Sequence, residues 1–365
     1  MKLIIQPEDG PAPILSAIKK AKKSVEIAIF RFDRRDIEKA LKAAVANGVN
    51  ATALVADTNR GGERNLRHLE TRFLEAGITV ARTANDLVRY HDKMIIIDRR
   101  IFFMLSFNFT CMDIDHSRGF GIITKNAALV QEAVQLFEAD CARRPYAADR
   151  ANFVVSPANS RKVLRGFLKR AKKELLIYDP QISDKEMIRI LQERQKAGVE
   201  IRMIGKITGS SGLAVKKLTR IRLHARAIIR DGHQAFIGSQ SLRSMELDSR
   251  RELGLIVREP KIIKKLAATF NSDWNASNAA QATAKKNCKP VQLGKKNAET
   301  ALAALVEDLH PVAATVATAV KKAAAQNGGE MLPGKMVKST VKKVVKRAVK
   351  EAVKQVEQSL EESKK

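Results

Sequence analysis

Two stretches carry the residues best suited to chemistry. HDKMIIID (91–98) and HARAIIRD (224–231) begin with a histidine, place a cation two residues on and end in an aspartate. His91 matches His224, Lys93 matches Arg226 and Asp98 matches Asp231, all 133 positions apart, and Leu105-Ser106 matches Gly238-Ser239 at the same offset. Residues two apart on a strand share a face, so each cation lies beside its histidine. Ser106, Asn108 and Ser239 add hydroxyl and amide donors. Two imidazoles ringed by cations and hydroxyls suit a phosphoryl group, whose equatorial oxygens the cations neutralise as charge builds. One imidazole can attack phosphorus while the other protonates the leaving oxygen. An ordinary pKa of about 6.5 lets one be neutral and the other charged near neutral pH. The cations already supply positive charge, so the expectation is a site without metal or other cofactor. His68, His116, His233 and His310 have no repeated counterpart and read as surface or packing residues.

The elements that must position these residues are also written twice. Ala21-Lys22-Lys23 recurs as Ala171-Lys172-Lys173, Pro7 as Pro157 and Gly48-Val49 as Gly198-Val199, each 150 positions on. Each copy reads as an apolar strand, a basic helix, a second strand and a helix with apolar residues at three-to-four spacing (Ile37, Leu41, Ala44; Met187, Ile190, Leu191). The Gly-Val pair closes that helix and opens a third strand. Strands alternating with helices predict an α/β fold with mixed, mostly parallel sheets. Pseudo-two-fold packing of residues 1–150 on 151–275 would bring the two histidine strands to one cleft. The offset falls from 150 to 133 because the first copy carries a longer insert, TNRGGERNLRHLETR (58–72).

Together these features resemble the phospholipase D superfamily, whose mark is two H-x-K-x4-D-x6-G-S motifs on a duplicated α/β fold. The resemblance covers roughly residues 1–275. It implies a covalent phosphohistidine passed to water or an alcohol, as in phospholipases, cardiolipin synthases and metal-independent endonucleases. It implies His91 as nucleophile and His224 as general acid, then base. Lys93 and Arg226 would clamp phosphate oxygens, with Ser106, Asn108 and Ser239 assisting. An acidic residue after each motif would orient the histidine of the opposite half: Glu252 for His91, whereas the equivalent first-half position is Gly119, leaving Asp113 and Asp115 as alternatives for His224. Asp98 and Asp231 read as buried structural partners that fix the strands. Arg226 for lysine, Leu105 for glycine and Gly119 for an acid depart from the pattern. Arg226 and Gly119 define the alternative reading, a catalytically weak or inactive relative that binds nucleic acid or anionic membrane through its basic surface.

Composition bounds the partners. The net charge is +28, of which residues 281–365 contribute +9 (17 Lys and Arg against 8 Asp and Glu), leaving +19 on the first 280 residues. Such a field attracts nucleic acid or an anionic phospholipid surface, and the motifs leave both open. The Arg-rich insert (Arg60, Arg64, Arg67, Arg72) and Arg34-Arg35 favour nucleic acid, whereas Phe30, Phe32, Phe102, Phe103, Phe107 and Phe109 are candidates for an apolar lipid groove. Three widely spaced cysteines and no long apolar run predict a cytoplasmic protein without a transmembrane segment. Residues 276–298 read as a linker. Residues 299–365 read as a Lys/Ala-rich helical tail whose narrow Val/Ala stripe suits packing on the core, self-association, nucleic acid or an anionic membrane.

Overall fold

The computed structural model describes residues 1–57, 63–209 and 212–287. The first half comprises β1 (Lys2–Gln6), α1 (Ala12–Lys20), β2 (Ser24–Ile29), α2 (Arg35–Ala46), β3 (Asn50–Val55), α3 (Glu63–Leu74), β4 (Thr79–Arg82), β5 (Arg89–Tyr90), β6 (Met94–Ile97), β7 (Ile101–Leu105), α4 (Cys111–Asp115), β8 (Ser117–Thr124) and α5 (Ala127–Cys141). The second comprises β9 (Phe153–Ser156), α6 (Ser160–Lys169), β10 (Glu174–Ile182), α7 (Lys185–Lys196), β11 (Glu200–Ile207), β12 (Ala214–Lys216), β13 (Arg222–Leu223), β14 (Arg226–Arg230), β15 (Gln234–Gly238), α8 (Ser244–Asp248), β16 (Arg250–Val257) and α9 (Pro260–Asn287). The halves are repeats of one plan within a single compact unit, Met1–Lys286.

Each half contributes a mixed sheet. The first is ordered β1-β8-β7-β6-β2-β3-β4 and the second β12-β11-β10-β14-β15-β16-β5, with β9 also on β16. The sheets are not mostly parallel. Along the first path only β2–β3 and β3–β4 are parallel, and in the second β12–β11, β11–β10 and β16–β5. The reason lies in the connections. Asp98, Arg99 and Arg100 alone separate β6 from β7, and a parallel return needs a crossover of about a dozen residues or more.

That turn also defines the role of the motif aspartates. Asp98 (φ 53°) and Asp231 (φ 52°) take left-handed backbone at the two hairpins. Asp98 accepts the backbone N–H of Lys22 (3.0 Å), Lys23 (2.6 Å) and Ser24 (3.0 Å), and Asp231 those of Lys172 (3.0 Å), Lys173 (2.7 Å) and Glu174 (3.1 Å). The repeated Ala-Lys-Lys is thus the ledge onto which each hairpin locks. Both aspartates are half-buried rather than buried, because hairpin turns sit at the sheet rim. Partial burial pushes their pKa up, but the N–H donors outweigh it and hold both below the usual carboxylate range.

Central strands are buried on both faces, so they read as continuous apolar runs. Met94 and Ile96 join a cluster shared by both halves, whereas Ile95 and Ile97 face the outer helices of the first half. The shared cluster draws on both sheets and on α5 and α9, with Phe120, Tyr178 and Phe270 edge to face at 5.1–5.2 Å. Helices α2 and α7 bury the predicted Ile37, Leu41, Ala44 and Met187, Ile190, Leu191. Gly48 (φ 81°) and Gly198 (φ 85°) end them in left-handed backbone. Helix α9 runs on to Asn287, so residues 276–287 of the expected linker are helical, as their alanines and lack of Gly or Pro permit. The rest of that linker and the whole tail lie outside the described residues.

Two buried ion pairs cross between the halves. Arg118 of β8 holds Asp273 of α9 with two bonds (2.8 and 2.9 Å), and Arg251 of β16 holds Asp140 of α5 (2.9 Å). Arg118 also donates to the carbonyl of Gln6 (2.8 Å) and Arg251 to that of Ser156 (3.2 Å). These partners obey the repeat offsets of 133 and 150. Replacing Arg251 by Met strands the Asp140 carboxylate in the interface and is expected to cost about 3–5 kcal/mol. Urea unfolding of Arg251→Met, and recovery in Arg251→Met/Asp140→Leu, checks this.

Candidate active site

The histidines are positioned by an exchange of short strands. β5, just ahead of His91, leaves its own half and pairs with β16, Arg89 against Arg250 and Tyr90 against Arg251. The His91 N–H then donates to the Arg251 carbonyl (2.8 Å). Continuing that register sets His91 alongside Glu252, and the Nδ1 of His91 lies 2.8 and 3.0 Å from the two carboxylate oxygens. β13, just ahead of His224, pairs with β8 in the same way, Arg222 against Ser117 and Leu223 against Arg118. The His224 N–H donates to the Arg118 carbonyl (3.1 Å), which sets His224 alongside Gly119.

The cations follow the same symmetry. Lys93 donates to the carbonyl of His91 (2.6 Å) and Arg226 to that of His224 (2.9 Å). Arg226 also reaches Ser241 (3.2 Å), the counterpart of Asn108. Ser106 and Ser239 are fully buried and accept the N–H of Phe120 (2.9 Å) and Leu253 (3.0 Å) on the neighbouring strand. Ser239 also hydrogen-bonds Glu252. Asn108 donates from its backbone (2.8 Å) and side chain (2.6 Å) to Asp113, leaving its Oδ1 buried and unpaired. His91, Lys93, His224, Arg226 and Glu252 therefore converge from both halves, with the serines and Asn108 bracing them.

Burial sets the protonation. Desolvation, followed by the charges of Lys93 and Arg226, lowers the pKa of His91 well below its ordinary value. Desolvation, then Arg226, Lys93 and Arg222, does the same to His224. Burial also lowers Lys93 to about 7 and raises Glu252 to about 7. A neutral His91 donates Nδ1–H to Glu252, which leaves the Nε2 lone pair available as a nucleophile. Among the described residues, no group of three or more His, Cys, Asp or Glu is arranged to hold a metal.

The sequence offers Phe30 as a candidate groove residue and not as a neighbour of His91. Phe30, at the end of β2, sits edge-on to His91 at 4.6 Å and lies 5.5 Å from the Lys93 ammonium. Its repeat counterpart is Pro180, so the repeat gives no signal for it. Leu105, in place of a glycine, lies against Gly121, where an added Cβ would meet its Cδ2 at 2.7 Å. Asp115 is held by Arg34 at 2.5 Å, whereas Asp113 is buried.

The paired histidine motifs on exchanged halves agree with a family model described as cardiolipin synthase, PLD-like domain, which matches residues 14–141 and 164–274. The chain belongs to the phospholipase D-like domain family. No curated protein matches it. Among solved structures, a polyphosphate kinase from Porphyromonas gingivalis superposes with a TM-score of 0.63 at 20% identity, over 75% of this chain and 50% of that one. A phosphatidylserine synthase from Haemophilus influenzae Rd KW20 gives 0.57 at 11% identity, over 75% of this chain and 85% of that one. Both show a shared fold, and the chain spans only half the length of the kinase. Nuc, a phospholipase D family member from Salmonella typhimurium, is 27% identical over 38% of this chain and 91% of its own, with a TM-score of 0.36.

Proposed function

We propose that this phospholipase D-like protein is a phosphodiesterase working through a covalent phosphohistidine, with a phosphodiester of nucleic acid as substrate. The observation that carries the reaction class is the His91–Glu252 pair, formed across the halves beside His224, Lys93 and Arg226. The Nε2 lone pair of His91 attacks phosphorus and forms a P–N bond. The P–O bond to the leaving group breaks, and that oxygen takes a proton from Nε2 of protonated His224. Neutral His224 then removes a proton from water, or from an alcohol in a transfer reaction. The resulting oxygen nucleophile attacks phosphorus and releases His91. Lys93 and Arg226 balance the negative charge on the non-bridging oxygens in both steps.

Nucleic acid is favoured by the fate of the phenylalanines. Phe30, Phe102, Phe103, Phe107 and Phe109 are buried in the core and Phe32 is half-buried, so they do not form an open groove for acyl chains. The charge of +19 on the first 280 residues remains. Not every arginine contributes equally, since Arg67 pairs with Glu70, Arg72 with Glu38 and Arg34 with Asp36 and Asp115. A second reading, phosphatidyl hydrolysis or transfer, draws support from Val88, Met112 and Met245. These exposed apolar residues lie close in sequence to site residues. No helix among the described residues is long and apolar enough to cross a membrane.

Paired assays in EDTA test the proposal, using labelled single- and double-stranded DNA and RNA in one series and phosphatidylcholine–phosphatidylglycerol vesicles in the other. Nucleic acid cleavage by the wild type, lost by roughly 10⁴-fold or more in His91→Asn, is the expected result. Head-group release instead would establish the lipid reading. Silence in both would leave a phosphate binder on a retired site, and activity unchanged in His91→Asn would remove the mechanism.

The pH profile gives an independent check. Free His224 has its pKa lowered by burial and by neighbouring cations, so its proton is lost below the ordinary value of about 6.5. A bound diester anion opposes those cations and raises that pKa. The alkaline limb of kcat/KM is therefore expected at lower pH than the alkaline limb of kcat. Coincident limbs would show that His224 is not the proton donor.

A further inference from the structure

The register that gives His91 its carboxylate gives His224 none. Gly119 occupies the position equivalent to Glu252, and a Cβ there would meet the ring and Cβ of Phe107 at 3.0 and 3.2 Å. Phe107 is fully buried where the second half has Gln240, so an aromatic ring fills the space beside the missing side chain. The Nδ1 of His224 makes no hydrogen bond and is buried. A carboxylate nevertheless stands near it: Oδ2 of Asp113 is 3.4 Å away.

Asp113 is built into that position. It is 3% exposed, its backbone N–H is capped by Thr110 (3.2 Å), and it accepts two bonds from Asn108 and one from Arg222. Its repeat counterpart, Glu246, accepts the backbone N–H of Ser241 (2.7 Å) and pairs with Arg250 (3.2 Å) and Arg243 (3.5 Å). The two short helices therefore carry equivalent buried carboxylates, and Asp113, in the half that lacks the glutamate, is the one within 4 Å of a histidine. We propose that Asp113 is the positioning residue of His224, reached from α4 of the opposite half instead of from β8. The proposal deepens, and rests on, the reading of His224 as the proton donor. Because Asp113 already serves Asn108 and Arg222, it stabilises an imidazolium less than an unshared carboxylate would. That keeps His224 a ready acid while fixing which nitrogen faces the site.

The test reads the ring itself. Two-bond proton–nitrogen spectra of the full chain labelled with ¹⁵N-histidine report the tautomer at pH 8, with His224 assigned by its absence in His224→Gln. The expected wild-type state is Nδ1–H, and an Nε2–H tautomer would overturn the proposal without any further variant. Asp113→Ala should shift His224 toward Nε2–H and leave His91 unchanged. Phe107→Gln/Gly119→Glu, added to Asp113→Ala, should restore Nδ1–H by rebuilding the arrangement of the other half. A His224 tautomer indifferent to Asp113→Ala would also overturn it. The spectra need no turnover, so a chain silent in both assays but showing these tautomers would lose the phosphodiesterase reading and keep Asp113 as the partner of His224.

Discussion

The site depends on one exchange: each half sends the strand ahead of its histidine into the sheet of the other. Two hydrogen-bonded residues on each side, Arg89-Tyr90 and Arg222-Leu223, decide where an imidazole stands. The residues they meet, Arg250-Arg251 and Ser117-Arg118, are anchored in turn by the crossed pairs Arg251–Asp140 and Arg118–Asp273. Taking ions out of water costs several kcal/mol each, which good geometry and extra hydrogen bonds only offset. Such pairs therefore add little net stability but penalise error heavily. A slip of β8 or β16 by one residue would turn its arginine to the wrong face and leave buried charges unpaired. The register of Glu252 opposite His91 is enforced by the neighbouring residue.

The same burial that fixes geometry sets the chemistry. Lys93 is inaccessible to water, and its pKa falls to about 7, while Glu252 rises to about 7 under the same desolvation. Neither group is held strongly in one charge state. In the proposed reaction an anion arriving between Lys93 and Arg226 would restore the balance that burial removed and so couple substrate binding to protonation. The edge of Phe30 beside His91 excludes water from one side of the imidazole and strengthens these interactions.

Much of this was legible in the sequence because the chain repeats. Offsets of 150 and 133 pick out the strands, the glycine-capped helices and the two motifs, and they would equally have picked out Arg118/Arg251 with Asp140/Asp273. What the offsets do not carry is direction. A three-residue link between β6 and β7 forces an antiparallel hairpin, yet strand-helix alternation elsewhere suggested a parallel sheet. Nor does an apolar run distinguish a groove from a core: Phe107 and Phe109 are buried because the chain beyond β7 stays in the interior. Asp98 and Asp231 look like core residues in a motif, but they cap backbone at a rim where only half-burial is available. Residues 276–287 looked like linker from their small polar side chains, whereas the physically deciding feature was an alanine-rich stretch without a breaker.

Leu105 and Gly119, the departures that fall in the first half, form one structural change and not two. In the second half Gly238 faces Gly254, with Phe236 and the Gln240 amide packed against the pair, and Glu252 projects beside His91. In the first half Leu105 lies over Gly121 and Phe107 over Gly119. Two apolar side chains thus occupy room beside Gly119 and Gly121, and an acid at position 119 would be desolvated against a phenyl ring. Losing the acid follows from filling the space. The result is two histidines with different supports: His91 on a fully buried carboxylate within direct hydrogen-bond reach that it shares with Ser239, and His224 beside a more distant one already committed to an asparagine and an arginine. A strong acceptor on Nδ1 makes the opposite nitrogen a better nucleophile, and a weaker one leaves it a better acid. The asymmetry that looks like decay in a comparison of motifs is therefore what divides the proposed labour between the two rings.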